Sequence, residues 1–280
     1  DSRVWLWDVV QGKCLHQAQH HRRVTRVAFP PNEQSLFVCC DSRGDLLSFD
    51  WEHQSWRVLA HIDPPASVPS ELTFSADGNW LAAVNHQIET IPSQPFAYSY
   101  GGISVWTWGR ALPIAETGLR CPMATCVALS QDGEMVAGSG LSRKVNVWHR
   151  KTRERIHQFD HAKKVHFLAW SPDQRTLASA TLSGFVKIWD LERGRKLTTL
   201  HSKARSLQAI AYSPDGQMLA TASSDALAQF WDVKTGEQRH AFDWEIGAVH
   251  SVAFSEDGMR AAAGGDGQII VWDLDFDDAF

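Results

Sequence analysis

Histidine and cysteine are the residues here whose spacing chemistry could use. His16 and His20 stand four apart, a spacing that holds zinc when both residues project from one helix face, and Cys121 and Cys126 make a CxxxxC pair. Neither is completed. The histidines leave a strand rather than ride a helix, and no second cysteine or histidine pair stands at a zinc spacing. The segments GSGLSRK from Gly138 and GGDGQ from Gly264 have the composition of a phosphate cradle, yet neither opens a helix, where the backbone amides would converge on an anion. There is no GxSxG elbow, Walker loop or paired catalytic motif. The expectation is a protein that is not an enzyme and carries no metal and no cofactor.

The remaining histidines are explained by position. His61, His161, His201 and one of His20 and His21 occupy a repeated slot, 12 or 13 residues after a strand that ends in an aromatic residue. Those strands end at Trp7, Phe49, Trp106, Trp148, Trp189, Trp231 and Trp272, at intervals of 42, 57, 42, 41, 42 and 41 residues. Trp108 is a second candidate for the slot assigned to Trp106. A polar turn keeps the same beat: SADG from Ser75, SQDG from Ser130, SPDQ from Ser171, SPDG from Ser213 and SEDG from Ser255. Asp and Gly there suit a tight reversal, since Gly tolerates positive φ and Asp bonds the local backbone. Each unit then reads as four short strands, the first with alanine at one fixed slot: Ala28, Ala128, Ala169, Ala211 and Ala253.

At its Trp-Asp pairs, Trp7-Asp8, Trp189-Asp190, Trp231-Asp232 and Trp272-Asp273, the chain resembles the WD40 family, and the resemblance spans nearly its whole length. It implies an all-β WD40-type β-propeller. The same family ties a blade together through a tetrad of His, Ser or Thr, Asp and Trp, which the resemblance assigns in full to His201, Thr221, Asp225 and Trp231. The preceding repeat offers His161, Ser179 and Trp189, with Ser183 in place of the acid.

The expected organisation is one propeller over residues 1–280, seven-bladed, with six complete or nearly complete blades and a partial one at the start. The blades are 1–18 (partial), 19–61, 62–118, 119–160, 161–201, 202–243 and 244–280, the last lacking a clear outer strand. In such a ring an upstream segment is expected to complete both ends. The sequence DLDFDD near the end lacks the turn Gly and closing Glu of a calcium loop and reads as a solvated acidic tail.

Function is then expected at the rims. The formal charge of -5 speaks against general nucleic-acid binding, and no run approaches a membrane span. Cys39 and Cys40, adjacent in an apolar run, read as small buried hydrophobes in a reducing compartment, which we expect to be the cytoplasm. The 57-residue interval contains HQIETIPSQPFAYSY, residues 86–100, which reads as a loop inserted in one blade. Phe96, Tyr98 and Tyr100 in this loop, with Arg22, Arg23, Lys163, Lys164, Lys203, Arg205 and Trp244 in outer-to-inner links, make an aromatic and cationic rim. It suits a protein or peptide partner, with an acidic segment favoured. A second rim carries Arg150, Lys151, Arg153 and Arg155 and reads as solvated charge. The expected role is an interaction scaffold within a larger protein, resembling bacterial WD40 arrays. The alternatives are a small-ligand sensor or enzyme using a central channel, a structural spacer, or an insertion that merely covers its own blade.

Overall fold

The strand-and-turn beat of the sequence recurs in the computed structural model, which describes residues 2–8, 10–61, 71–89, 98–109, 114–121, 124–204, 206–243 and 245–274. Among the described residues there are β-strands and no helix. The chain divides into two compact units, residues 1–158 and 159–280.

The first unit begins with a two-stranded sheet, β1 (Arg3–Asp8) and β2 (Lys13–Gln19). Three four-stranded sheets follow. They are β3 (Val24–Ala28), β4 (Leu36–Asp41), β5 (Asp45–Asp50) and β6 (Ser55–His61); β7 (Leu72–Phe74), β8 (Trp80–Glu89), β9 (Tyr98–Thr107) and β10 (Ile114–Arg120); and β11 (Cys126–Leu129), β12 (Met135–Ser139), β13 (Lys144–His149) and β14 (Arg155–Asp160), within which the unit border falls. The second unit holds β15 (Val165–Trp170), β16 (Thr176–Thr181), β17 (Phe185–Asp190) and β18 (Arg195–His201); β19 (Leu207–Tyr212), β20 (Met218–Ser223), β21 (Leu227–Asp232) and β22 (Gln238–Asp243); and the three-stranded β23 (Ser251–Phe254), β24 (Arg260–Gly264) and β25 (Ile269–Asp273). These meanders in chain order are the blades of an all-β WD40-type β-propeller. Among the described residues six sheets have three or four strands and β1 and β2 make a two-stranded one, so the expected count of seven blades is not shown.

Burial explains the residue choice. A second strand such as β16 (TLASAT) or β20 (MLATAS) is buried on both faces, so it reads as a run of apolar and small residues, while the outer β18 (RKLTTLH) is largely exposed. Four of the five repeated alanines sit opposite other alanines: Ala128 faces Ala137, Ala169 faces Ala178, Ala211 faces Ala220 and Ala253 faces Ala262, while Ala28 faces Val38. The aromatic slot is equally regular. Trp148 lies opposite Val136, Trp189 opposite Leu177 and Trp231 opposite Leu219; Trp106 lies opposite Leu81, which gives it the slot over Trp108. Trp108 instead packs on Phe74 at 5.1 Å and donates its indole N–H to Glu33 Oε1 at 3.0 Å.

Both turn signatures have a mechanism. In the first turn the serine hydroxyl donates to the aspartate two residues on and accepts the amide five residues on, as in Ser130 to Asp132 at 2.7 Å and Met135 N to Ser130 at 2.9 Å. In the second, the aspartate of a Trp-Asp pair caps the amides that follow: Asp8 accepts from Val10 and Gln11, Asp190 from Arg193, and Asp232 from Lys234 and Thr235. Where His149 replaces that acid, its Nδ1 accepts from Thr152 N at 3.4 Å. Gly133 is required twice over: its φ is +67°, and a Cβ there would meet the Trp80 ring at 2.1 Å.

Candidate docking surface

The insertion is a ribbon. β8 and β9 are ten residues each and stay in register from Trp80 opposite Thr107 to Glu89 opposite Tyr98. Their outer neighbours stop sooner: β7 pairs with Leu81–Ala83 only, and β10 with Gly102–Thr107. The pairs from His86 opposite Gly101 to Glu89 opposite Tyr98 therefore extend past the sheet as a two-stranded hairpin arm. This corrects the expectation of a loop. YSYGGISVWT has the aromatic and β-branched content of a strand, and Pro92 and Pro95 lie outside the described residues. Tyr98 and Tyr100 lie in the arm; Phe96 lies outside the described residues.

The cations expected beside it divide by environment. Arg23 is exposed, but Arg22 is held by Asp41 at 3.0 Å and Asp45 at 2.8 Å. The hydrogen bond to Asp41 leads the upward shift of Arg22's pKa. Burial acts to raise the pKa of Asp41, but the amides of Asp45 and Arg43 and the Arg22 guanidinium outweigh it and hold the carboxyl below its ordinary value. Arg22, its side chain 26% exposed, is thus also the counter-ion of a buried acid. In the second unit Lys163 and Lys203 are exposed and Lys164 is half-buried; Arg205 and Trp244 lie outside the described residues.

Arg150 is the other correction. Expected as solvated rim charge, it is 1% exposed, with its guanidinium carbon 3.4 Å from the Trp80 ring centre, Nε donating to Gly133 O at 3.0 Å and Nη2 to Glu134 Oε1 at 3.0 Å. Nothing in its sequence neighbourhood sets it apart from Lys151 and Arg153.

The tetrad is redistributed. Trp231 Nε1 donates to Thr221 Oγ1 at 3.0 Å and Asp225 accepts from Ser223, but His201 is an exposed residue of β18, stacked on Phe185 at 4.3 Å. It precedes the turn serine by 12 residues, whereas His161 precedes its own by 10. That count was the missed signal, because the relay forms around His161: its Nε2 lies 2.6 Å from Ser179 Oγ, which accepts from Trp189 Nε1 at 2.7 Å. Burial lowers the pKa of His161 to about 4, and the nearby Lys187 adds to the effect.

Among the described residues no three His, Cys, Asp or Glu side chains converge as a metal site. His16 stacks on Trp51 and His20 packs on Trp56, so each is taken up by an aromatic residue of the next sheet or its turns. The five cysteines are free thiols, and all but Cys14 are buried. No helix among the described residues is long and apolar enough to cross a membrane.

Residues 129–278 match the family model described as nucleolar protein 10-like, N-terminal domain, and residues 12–43 match the WD domain, G-beta repeat. Among curated proteins, the chain is 23% identical over 192 residues to WD repeat-containing protein SL1-17 of Schistosoma mansoni, covering 69% of this chain and 59% of that protein. It is 27% identical over 127 residues to periodic tryptophan protein 2 of Arabidopsis thaliana (45% and 13%), and 33% identical over 76 residues to small ribosomal subunit protein RACK1 of Candida albicans (27% and 24%). The chain therefore spans less than two thirds of each of these relatives, from 13% to 59% of their length. They are eukaryotic and give the bacterial resemblance no support. The expected cytoplasmic location is overturned, because the family whose model covers residues 129–278 is named for a nucleolar protein.

Proposed function

Since the chain belongs to the family described as nucleolar protein 10-like, N-terminal domain, we propose that it is a non-catalytic docking scaffold of a nucleolar assembly, working as part of a larger protein. Its WD-repeat relatives support a protein-binding role, and one of them is by name a ribosomal subunit protein, so RNA near the bound partner is compatible with this reading. The observation that carries it is the hairpin arm of β8 and β9. A ribbon extending past its sheet offers its backbone at little ordering cost, because pairing from Glu89–Tyr98 inward already fixes it. The partner is a protein or peptide engaging Tyr98 and Tyr100, with exposed Arg23 favouring an acidic segment. Lys163, Lys164 and Lys203 are contacts of the same kind on the second unit, and Arg205 and Trp244 complete the proposed set.

The double substitution Tyr98→Ala/Tyr100→Ala tests it. Loss of partner co-purification from nucleolar extract, with the thermal midpoint unchanged, is the expected result. A lowered midpoint with capture intact would mean that the arm covers its own blade instead.

A further inference from the structure

In the second unit a cleft of about 510 Å³ opens between the turn that follows β19 and the turn that follows β23. Met218, Phe254 and Leu274, all half-buried, make it apolar, and exposed Asp215 and Asp257 flank it. One repeat earlier the corresponding residues bridge the same place. Tyr212 stands where Phe254 does, Thr176 where Met218 does, and their hydroxyls are 3.1 Å apart; Val233, buried, stands where Leu274 does. Phe254 and Met218 have no hydroxyls with which to form that bridge.

The two carboxylates repeat each other. Asp215 Oδ1 serves Ser213 and the Gln217 amide, and Asp257 Oδ1 serves Ser255 and the Met259 amide. Each turn uses Oδ1, which leaves the second oxygen to face an incoming group. Glu256 adds a third exposed acid, and the nearby cation Arg260 already donates to Asp273 at 3.0 Å. An apolar floor between acids is complementary to a side chain with a long methylene stem and a cationic head. Arginine fits best, because its guanidinium is weakly hydrated and lies well against an aromatic ring.

We propose that this cleft takes an arginine side chain from a basic peptide segment of a partner, its stem on Met218, Phe254 and Leu274 and its guanidinium toward Asp215 and Asp257. The site uses none of the residues of the hairpin arm, so it stands or falls independently of the arm.

The chain has four methionines, which makes [13C]methyl-methionine spectra a simple readout. Titration with N-acetyl-arginine amide is expected to move the Met218 methyl saturably while Met135 stays still. The neutral isostere N-acetyl-citrulline amide is expected to bind about tenfold more weakly or worse, as loss of a charge-assisted contact requires. Asp215→Asn/Asp257→Asn retains the turn acceptors and should weaken the arginine response similarly. Equal responses to arginine and citrulline overturn the proposal, as does a Met135 shift as large as that of Met218, or no Met218 shift at all. The citrulline comparison uses the unaltered chain, so it decides the matter even if the double variant folds poorly.

Discussion

The Arg150 guanidinium lies face-on over the Trp80 indole, 3.4 Å from its centre, joining two neighbouring blades of the first unit. Gly133 makes this possible, since any side chain there would occupy the space of the ring. Arg150→Ala removes a desolvated cation–π contact worth about 2 kcal/mol and leaves the Gly133 carbonyl without that donor, at about 1 kcal/mol more. The expected loss is about 3 kcal/mol in urea unfolding, read as a lower midpoint. Arg150→Lys should recover part of it, because ammonium keeps the charge but not the flat stacking face. A loss no greater than that of Lys151→Ala would show that the burial does not stabilise the fold.

Thr221→Val and His201→Ala should separate cleanly. The valine leaves the buried Trp231 N–H without its 3.0 Å acceptor, which costs about 1–3 kcal/mol. His201→Ala gives up an exposed stack on Phe185 and should cost less than about 1 kcal/mol. Thermal unfolding of the two variants checks this; the reverse order would restore His201 to the tetrad.

That pair also marks how far the sequence carried. The blades were legible because Trp slots, serine turns and paired alanines are periodic, and the four-stranded blades bury the same aromatic position each time. The arm was legible as an extra length but not as strands, since only pairing partners distinguish a hairpin from a loop. The roles of Arg22 and Arg150 were not legible at all. A charge reads as surface until a buried Asp41 or an opposing Trp80 ring is seen beside it, and those partners come from distant sequence or the next blade. His201 failed for a different reason: the residue type matched but stood two places away from the register that His161 keeps.

Thiol chemistry should follow burial. Desolvation pushes Cys39 and Cys121 up to about 12, and Cys40 and Cys126 higher still, so these four are protonated and shielded at pH 8. Iodoacetamide on the native chain is expected to alkylate Cys14 alone, and in urea all five cysteines, as counted by intact mass. Early modification of the Cys39–Cys40 pair under native conditions would mean that β4 opens on its own.

His161 should make stability depend on pH over a defined window. Its pKa is about 4 in the folded chain and about 6.5 when unfolded, so between those values the unfolded state binds the extra proton. Its contribution is fully present above pH 6.5 and is lost as pH falls toward 4, by about 3 kcal/mol in all. His20 and His166 are also lowered, chiefly by burial, and act in the same direction, so the wild-type slope alone does not isolate His161. The comparison with His161→Gln does, because the amide still reaches Ser179 Oγ but does not titrate. Urea midpoints at pH 7.5, 6, 5 and 4.5 are expected to converge for the two proteins as the medium acidifies, with wild type ahead only at the alkaline end. A constant gap across that range would mean that His161 is protonated as easily in the blade as in the unfolded chain.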